Sequence, residues 1–251
     1  MTDTQTAIAT LDIDRRVATL SLNRPDKRNA LSRDLIAQLH THCEALRTNH
    51  EVSVVLLRGE GRSFCAGMDL KAVLKEPGAP FELLSGIAEL TILMRTMPQV
   101  IVADVRGAAI GGGCGLVAVA DLAVTHPDAK LGYPEVDLGV CPAVVAPWLV
   151  QSIGAGAARR VLLQGGTLSG HRAHELGLVS HCVPVGEMDA LIEEITGRLS
   201  RAGVVALGAT KGLLSDLEAD PIHAMVRKGA RISADVIASD EAQERLAKIY
   251  G

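Results

Sequence analysis

A glycine-rich stretch is the part of the chain best suited to chemistry. Residues 107–120 contain five glycines and no charged residue, and they follow the β-rich run 100–105. Glycine adopts positive φ readily and lets a ligand approach bare backbone. If the turn opens a buried helix that continues through 116–120, the first backbone N–H groups have no partner within the helix and can bind an anion or a developing oxyanion. The alternative is that the glycines only let the helix pack closely against a sheet.

A second turn of similar character lies earlier in the chain. Residues 63–70 read Ser-Phe-Cys-Ala-Gly-Met-Asp-Leu and again lead into a helical pattern. This turn can therefore also present free backbone N–H groups.

The remaining pattern supplies the elements that must position these turns. Strand and helix patterns alternate up to about residue 185, and only helical patterns follow residue 187. We therefore predict an α/β protein with a core over 1–190 and a C-terminal helical region over 191–251. The predicted elements are a β-hairpin over 7–22, a helix capped by Ser32, strands at 52–57, 100–105, 121–125 and 178–183, helices at 82–96 and 169–176, and two short helices within 143–164.

Composition excludes several classes of protein. Hydrophobic residues make up 48% of the 251 residues but aromatic residues only 2%, so the core must be aliphatic. The net charge of −4 gives no electrostatic reason to expect a nucleic-acid or membrane partner. Five cysteines without CxxC spacing, and His171 and His174 without an HExxH context, predict neither disulfides nor a metal site. With no secretory signal pattern and no apolar run long enough to span a bilayer, we expect a soluble, cytoplasmic protein.

Three stretches together resemble the enoyl-CoA hydratase/isomerase (crotonase) superfamily. They are 22–31 (Leu-Asn-Arg-Pro…Asn-Ala-Leu), 63–70 and 107–121, and the segments 134–140 and 173–179 extend the match in the right order. The resemblance covers roughly residues 8–185. It implies a crotonase-like ββα spiral core with C-terminal helices that build a homotrimer or a dimer of trimers. It also implies an acyl-CoA thioester as substrate, with no cofactor beyond the CoA of that substrate.

The resemblance also assigns the binding residues. By motif position, the backbone N–H groups of Met68 and Gly112 would polarise the thioester carbonyl and stabilise an enolate-like intermediate. Lys27 and Arg28 lie where basic residues could meet CoA phosphates, although both could be solvated surface charges. The residues expected to bind the substrate are Lys27, Arg28, Ala66, Met68, Asp69, Leu70, Gly111, Gly112 and Leu138.

Three further expectations concern the surroundings of this site. The acyl pocket is expected to include Leu70, Met94, Leu138 and Val140. Asp69 is expected to fix its loop by capping the next helix. The final helix, near 241–250, could close over a bound CoA.

Hydratases of the family usually carry two glutamates for acid/base chemistry. The second matches Glu135, which lies between Pro134 and Val136. Apolar neighbours should raise its pKa by desolvation, which suits proton transfer near neutral pH. The first glutamate would fall at position 115, where this chain has glycine, and glycine cannot transfer a proton.

Two reactions and one non-catalytic role follow from this pattern. The form Gly-Gly-Gly-x-Gly-Leu at 111–116 also resembles hydratases of branched acyl-CoAs, so the first expectation is reversible hydration of a 2-enoyl-CoA. One base is sufficient to move a proton between C2 and C4, so Glu135 alone could catalyse 3-enoyl-CoA to 2-enoyl-CoA isomerisation. A chain that lost one carboxylate could also be a non-catalytic acyl-CoA-binding scaffold.

Overall fold

The strands belong to two sheets, and all of them lie before residue 183. The computed structural model describes residues 7–74, 76 and 78–250. Within that part of the chain the strands are β1 (Ala9–Asp14), β2 (Val17–Leu22), β3 (Val54–Gly59), β4 (Val100–Val105), β5 (Ala108–Ile110), β6 (Leu122–Thr125), β7 (Lys130–Gly132), β8 (Thr167–Ser169) and β9 (His181–Cys182).

The larger sheet has the order β1-β2-β3-β4-β6-β9. β1 and β2 form the predicted antiparallel hairpin, and every later pair in this sheet is parallel. The smaller sheet has the order β5-β7-β8, with β5 parallel to β7 and β8 antiparallel to it. All six residues of β4 are buried, as expected for a central strand of a sheet with parallel neighbours.

Helices connect the strands and then complete the chain. The α-helices are α1 (Arg33–Arg47), α2 (Leu70–Val73), α3 (Ala79–Thr96), α4 (Gly112–Val119), α5 (Ala146–Gln164), α6 (Gly170–Glu175), α7 (Met188–Arg201), α8 (Val204–Ile237) and α9 (Asp240–Tyr250). Ser32 caps α1 as predicted, because its hydroxyl accepts the Leu35 N–H at 3.2 Å. Ser169 caps α6 in the same way, by accepting the Arg172 N–H at 3.1 Å. The observed order confirms the predicted α/β class with helices at the C-terminal end.

Several strands differ from the sequence prediction. The three strands of the smaller sheet, β5, β7 and β8, are absent from the prediction, because each has only three residues and β5 also lies within the glycine-rich stretch. The strand expected over 178–183 is shorter than predicted, because only His181 and Cys182 pair with β6, opposite Val124 and Thr125. The two short helices predicted within 143–164 are present, because α5 consists of two helical segments that meet at a kink where Gly154 adopts φ +77°.

The C-terminal helices pack on the strand-containing part. Val226 and Ala230 of α8 are buried in the same hydrophobic core as α3 and α4. The buried Lys211 ammonium anchors α8 by donating to the Gln99 carbonyl oxygen and to the Asp121 carboxylate, both at 2.7 Å. Among the described residues, no helix combines the length and the apolar character that crossing a membrane would require.

Candidate active site

The two glycine turns lie side by side in the structure. The Cys65 N–H donates to the Ala108 carbonyl oxygen and the Ile110 N–H donates to the Cys65 carbonyl oxygen, both at 2.9 Å. On its other side the first turn is tied to residue 31, because the Leu31 N–H donates to the Gly67 carbonyl oxygen at 2.7 Å. These bonds fix the backbone that follows Gly67 against the start of α4.

Two backbone N–H groups are left free where the turns meet. Gly112 is the first residue of α4, so its N–H has no acceptor within the helix. Neither it nor the Met68 N–H donates to any acceptor in the described part of the chain. A Cβ placed on Gly67 would stand 3.6 Å from the Gly112 nitrogen. A Cβ placed on Gly112 would stand 4.0 Å from the Met68 nitrogen. The structure therefore brings the two predicted donors together.

Both donors open onto one cavity of about 300 Å³. Its walls are mainly hydrocarbon and include Leu70, Leu138 and Val140, three of the four residues expected around the acyl group. The fourth prediction, Met94, is wrong. Met94 lies seven residues after the cavity residue Ile87 on α3, about 10 Å further along the helix axis, and is buried in the core beyond the cavity.

Glu135 projects its carboxylate into this cavity from a short 3-10 helix, Pro134–Leu138. Oε1 lies 2.8 Å from the point where a Cβ on Gly111 would stand. Gly111 also has φ +54°, a conformation that other residues rarely adopt. Glycine at 111 therefore both shapes the turn and leaves room for the carboxylate.

The electrostatic setting of Glu135 suits proton transfer. Its Oε2 is buried and has no hydrogen-bond partner among the described residues. Burial raises the pKa of Glu135 from 4.5 to about 7, an effect that its own backbone N–H opposes in part. Near neutral pH the carboxyl group can therefore both accept and release a proton. Of the described residues that line the cavity, Glu135 alone carries a carboxylate.

A polar groove of about 230 Å³ adjoins the cavity and holds most of the other predicted binding residues. Lys27, Arg28 and Asp69 line the groove, while Ala66, Met68 and Leu70 line both the groove and the cavity. Four groove residues are absent from the predicted set: Asp26, Ala30, Lys71 and Tyr250. Lys71 adds a third exposed cation directly after Leu70, and Tyr250 at the end of α9 lines both spaces, in the helix that was expected to close over CoA.

Two carboxylates near the site accept hydrogen bonds from other parts of the protein. The prediction that Asp69 caps the next helix is wrong: its side chain makes no cap hydrogen bond and instead accepts from Arg24 Nη2 at 3.2 Å. The exposed Asp137 accepts the Gly166 N–H at 2.8 Å and so ties its turn to the segment before β8. Both carboxylates are thus engaged in structural contacts.

The fold and the site together define an α/β protein whose mainly apolar cavity holds two free backbone N–H groups and one glutamate with a buried carboxylate oxygen. The chain belongs to the enoyl-CoA hydratase/isomerase family, because the family model of that description matches residues 12–248. It is an enzyme of that family, as its relatives indicate.

Two curated relatives illustrate the similarity. The chain is 31% identical over 239 residues to an enoyl-CoA hydratase of Mycobacterium tuberculosis, with 92% of this chain and 90% of that protein covered. It is 29% identical over 231 residues to the 2,3-dehydroadipyl-CoA hydratase of Escherichia coli, with 92% and 90% covered. The family assignment therefore extends over nearly the whole chain.

Solved structures agree with the fold. An enoyl-CoA hydratase from Mycobacterium avium superposes with a TM-score of 0.86 at 30% identity, covering 97% of this chain and 96% of that chain. AtuE from Pseudomonas aeruginosa superposes with a TM-score of 0.81 at 34% identity, again with 97% and 96% covered. The ββα spiral expected from the sequence resemblance is thus confirmed, with its C-terminal helices in place.

Proposed function

We propose that this protein catalyses the reversible addition of water to the double bond of a 2-enoyl-CoA. The observation that carries the proposal is the meeting of three groups in one cavity: the free N–H groups of Met68 and Gly112 and the unpartnered carboxylate of Glu135. Hydration needs a polarised carbonyl and a group that handles protons, and this cavity offers both. The hydratase names of several relatives support the same choice.

The proposed steps use these groups in order. The thioester oxygen accepts hydrogen bonds from the Met68 and Gly112 N–H groups, which draws electron density from the double bond and makes C3 electrophilic. Ionised Glu135 takes a proton from a water molecule as the water oxygen bonds to C3, and the electron pair of the double bond moves onto the thioester oxygen as an enolate. Protonated Glu135 then delivers its proton to C2, and the product is a 3-hydroxyacyl-CoA.

The two N–H groups provide most of the stabilisation of the enolate. Each such donor contributes roughly 3–4 kcal/mol when it is preorganised toward the developing charge. Because both donors belong to the backbone, the side chain of Met68 is free to vary without loss of the donor. The hydrocarbon walls of the cavity strengthen these interactions by excluding water.

A second candidate is the isomerisation of a 3-enoyl-CoA to a 2-enoyl-CoA. It is favoured by the glycine at position 115, which leaves Glu135 without a second carboxylate in the cavity. In this reaction Glu135 removes a proton from C2, a dienolate forms whose negative charge lies partly on the same thioester oxygen, and Glu135 returns the proton to C4 as the double bond moves between C2 and C3. Only one acid/base group is required.

Substrate binding and assembly complete the proposal. The groove lined by Lys27, Arg28 and Lys71 supplies positive charge for the CoA phosphates, and the reaction needs no cofactor beyond the CoA of the substrate. An apolar surface groove of about 620 Å³ that includes Val150 and Met225 supports assembly into a homotrimer or a dimer of trimers. Light scattering of the purified protein would give the assembly state.

Absorbance of the conjugated enoyl thioester separates the candidates. Loss of signal from crotonyl-CoA indicates hydration, and gain of signal from 3-hexenoyl-CoA indicates isomerisation. If neither signal changes although both ligands bind tightly, the protein is a non-catalytic acyl-CoA-binding scaffold and both proposed reactions are refuted.

A further inference from the structure

We propose that Val145 is a specificity-determining residue that restricts the cavity to one carboxylate by filling the space a side chain at position 115 would need. The proposal rests on the proposed function, because it concerns which enoyl-CoA reaction the same site favours. It is carried by the packing of Val145 against Gly115 and by the contacts that hold Val145 in place.

Position 115 lies in the first turn of α4, close to two residues that line the cavity. Gly111 and Gly112 line the cavity, and Gly115 follows them by four and three residues. Residues at these spacings share one face of a helix. The Gly115 N–H donates to the Gly111 carbonyl oxygen at 2.9 Å, so the helical geometry is regular at this point. A side chain at 115 would therefore extend toward Val145, which lines the same cavity as Glu135.

Val145 occupies that direction. A Cβ on Gly115 would stand 2.4 Å from Val145 Cγ1 and 3.2 Å from Val145 Cβ. The first distance is far below a van der Waals contact, so even alanine does not fit at 115 unless Val145 moves. Val145 is itself 3% exposed and lines the cavity. The wall next to the glutamate is thus hydrocarbon where a second carboxylate would otherwise lie.

Contacts from α8 hold the segment that carries Val145. The Ser233 hydroxyl donates to the Cys141 carbonyl oxygen at 2.6 Å and accepts the Ala143 N–H at 3.2 Å. At Gly229 the backbone of α8 approaches so closely that a Cβ there would stand 2.2 Å from the Ala143 carbonyl oxygen. The segment therefore cannot move away from α4 without breaking these contacts, and Val145 stays against Gly115.

The chemical consequence is that one carboxylate must carry out all the acid/base steps at this site. Two carboxylates could share the tasks of orienting water and supplying the proton to C2. With Val145 in place, Glu135 performs every proton transfer, and the water molecule has one carboxylate to accept its hydrogen bond. Enlarging the space at 145 while adding a carboxylate at 115 should therefore favour hydration.

A double substitution with an isosteric control tests this. Gly115→Glu/Val145→Ala removes the 2.4 Å contact and adds a carboxylate, and Gly115→Gln/Val145→Ala adds the same volume without an ionisable group. We expect kcat/KM for crotonyl-CoA hydration to be roughly tenfold or more higher in the glutamate double variant than in its glutamine control. The dependence of kcat/KM on pH in the glutamate double variant should also show the ionisation of a second group. Gly115→Glu with Val145 retained should show no such gain over Gly115→Gln.

The steric premise has its own test, which does not require activity. Gly115→Ala should lower the melting temperature, and Gly115→Ala/Val145→Ala should restore part of that loss. Equal melting temperatures for Gly115→Ala and the unsubstituted protein would overturn the proposal. So would a glutamate double variant that hydrates no faster than its control, or a gain that appears without the change at 145. If the unsubstituted protein instead binds enoyl-CoA without turnover, the proposed function fails, while the melting test still decides the packing of Val145.

Discussion

Replacing Glu135 by glutamine should stabilise the protein at high pH while abolishing turnover. The pKa of Glu135 is raised from 4.5 to about 7 by burial, so the folded state binds a proton that the unfolded state has already released between these pH values. The free energy of unfolding therefore falls as the pH rises from 4.5 to above 7. The difference between 4.5 and about 7 corresponds to about 3 kcal/mol.

Glutamine at 135 has a similar shape but never ionises. The free energy of unfolding of Glu135→Gln, relative to the unsubstituted protein, should accordingly increase by about 2–3 kcal/mol between pH 5 and pH 8.5. Urea unfolding of both proteins at the two pH values measures this difference. A relative stability that is the same at both pH values would refute the view that the carboxylate is desolvated.

The same variant tests the acid/base role. Loss of the proton-transfer group should lower kcat by roughly 10²–10⁴-fold in the thioester absorbance assay. Asp137→Asn is the matched control, because it removes a carboxylate from the same turn at an exposed position and keeps an oxygen for the Gly166 N–H. This control should retain activity. Full activity in Glu135→Gln would refute the assigned role.

Three further outcomes are expected. In the unsubstituted protein, kcat/KM for hydration should rise with pH through a midpoint near 7, because Glu135 must be ionised to accept the proton. A kcat/KM that stays constant from pH 5.5 to 8.5 would contradict this. Lys71→Ala should raise KM for enoyl-CoA while kcat changes little, and the rise in KM should shrink at high salt because the exposed charge is screened. Steady-state kinetics at two ionic strengths measure both constants. A fall in kcat with an unchanged KM would mean that Lys71 acts in the chemical step. Lys211→Met should lower the free energy of unfolding in urea by about 1–3 kcal/mol, because Asp121 loses the hydrogen bond from the buried ammonium at 2.7 Å and keeps only the more distant Arg95 guanidinium as a cation. An unchanged free energy of unfolding would refute the anchoring role.

Local patterns were sufficient to predict most of the fold. The alternation at 7–22, the capping serine at 32 and the strand-turn-helix pattern around β4 and α4 all depend on near neighbours in sequence, and all are found. β5 was missed because the residues of β7 with which it pairs lie 22 positions later, and nothing in Ala-Ala-Ile alone indicates a strand. The strand at 178–183 was predicted too long for a similar reason, since its length depends on its partner.

The glycines of the glycine-rich stretch 107–120 have two different structural roles. Packing and ligand access were alternatives from the sequence, and the structure assigns them to different glycines. A Cβ on Gly113 would stand 2.4 Å from the Cys65 carbonyl oxygen, so that glycine allows close packing of α4. Gly111 and Gly112 line the cavity and border the free N–H groups.

Residues that meet only in three dimensions could not be predicted. Val145 lies thirty residues after Gly115 and carries no motif, yet its side chain fills the space next to that glycine. Ser233 reaches the cavity from α8, for which the sequence predicted only a helix. Tyr250 lies in the final helix, which was expected near a bound CoA but not at the acyl cavity. Met94 had the right residue type but lies too far along its helix.

The carbonyl stretching frequency of a bound 2-enoyl-CoA tests most directly whether the N–H groups of Met68 and Gly112 polarise the thioester. Crotonyl-CoA labelled with ¹³C at the thioester carbon, bound to Glu135→Gln so that it is not turned over, gives that frequency by isotope-edited infrared difference spectroscopy. Two hydrogen bonds from these donors predict a frequency lower than that of the same thioester in water. A frequency equal to or above the value in water would mean that the two turns do not act on the carbonyl, and it would contradict the proposed mechanism.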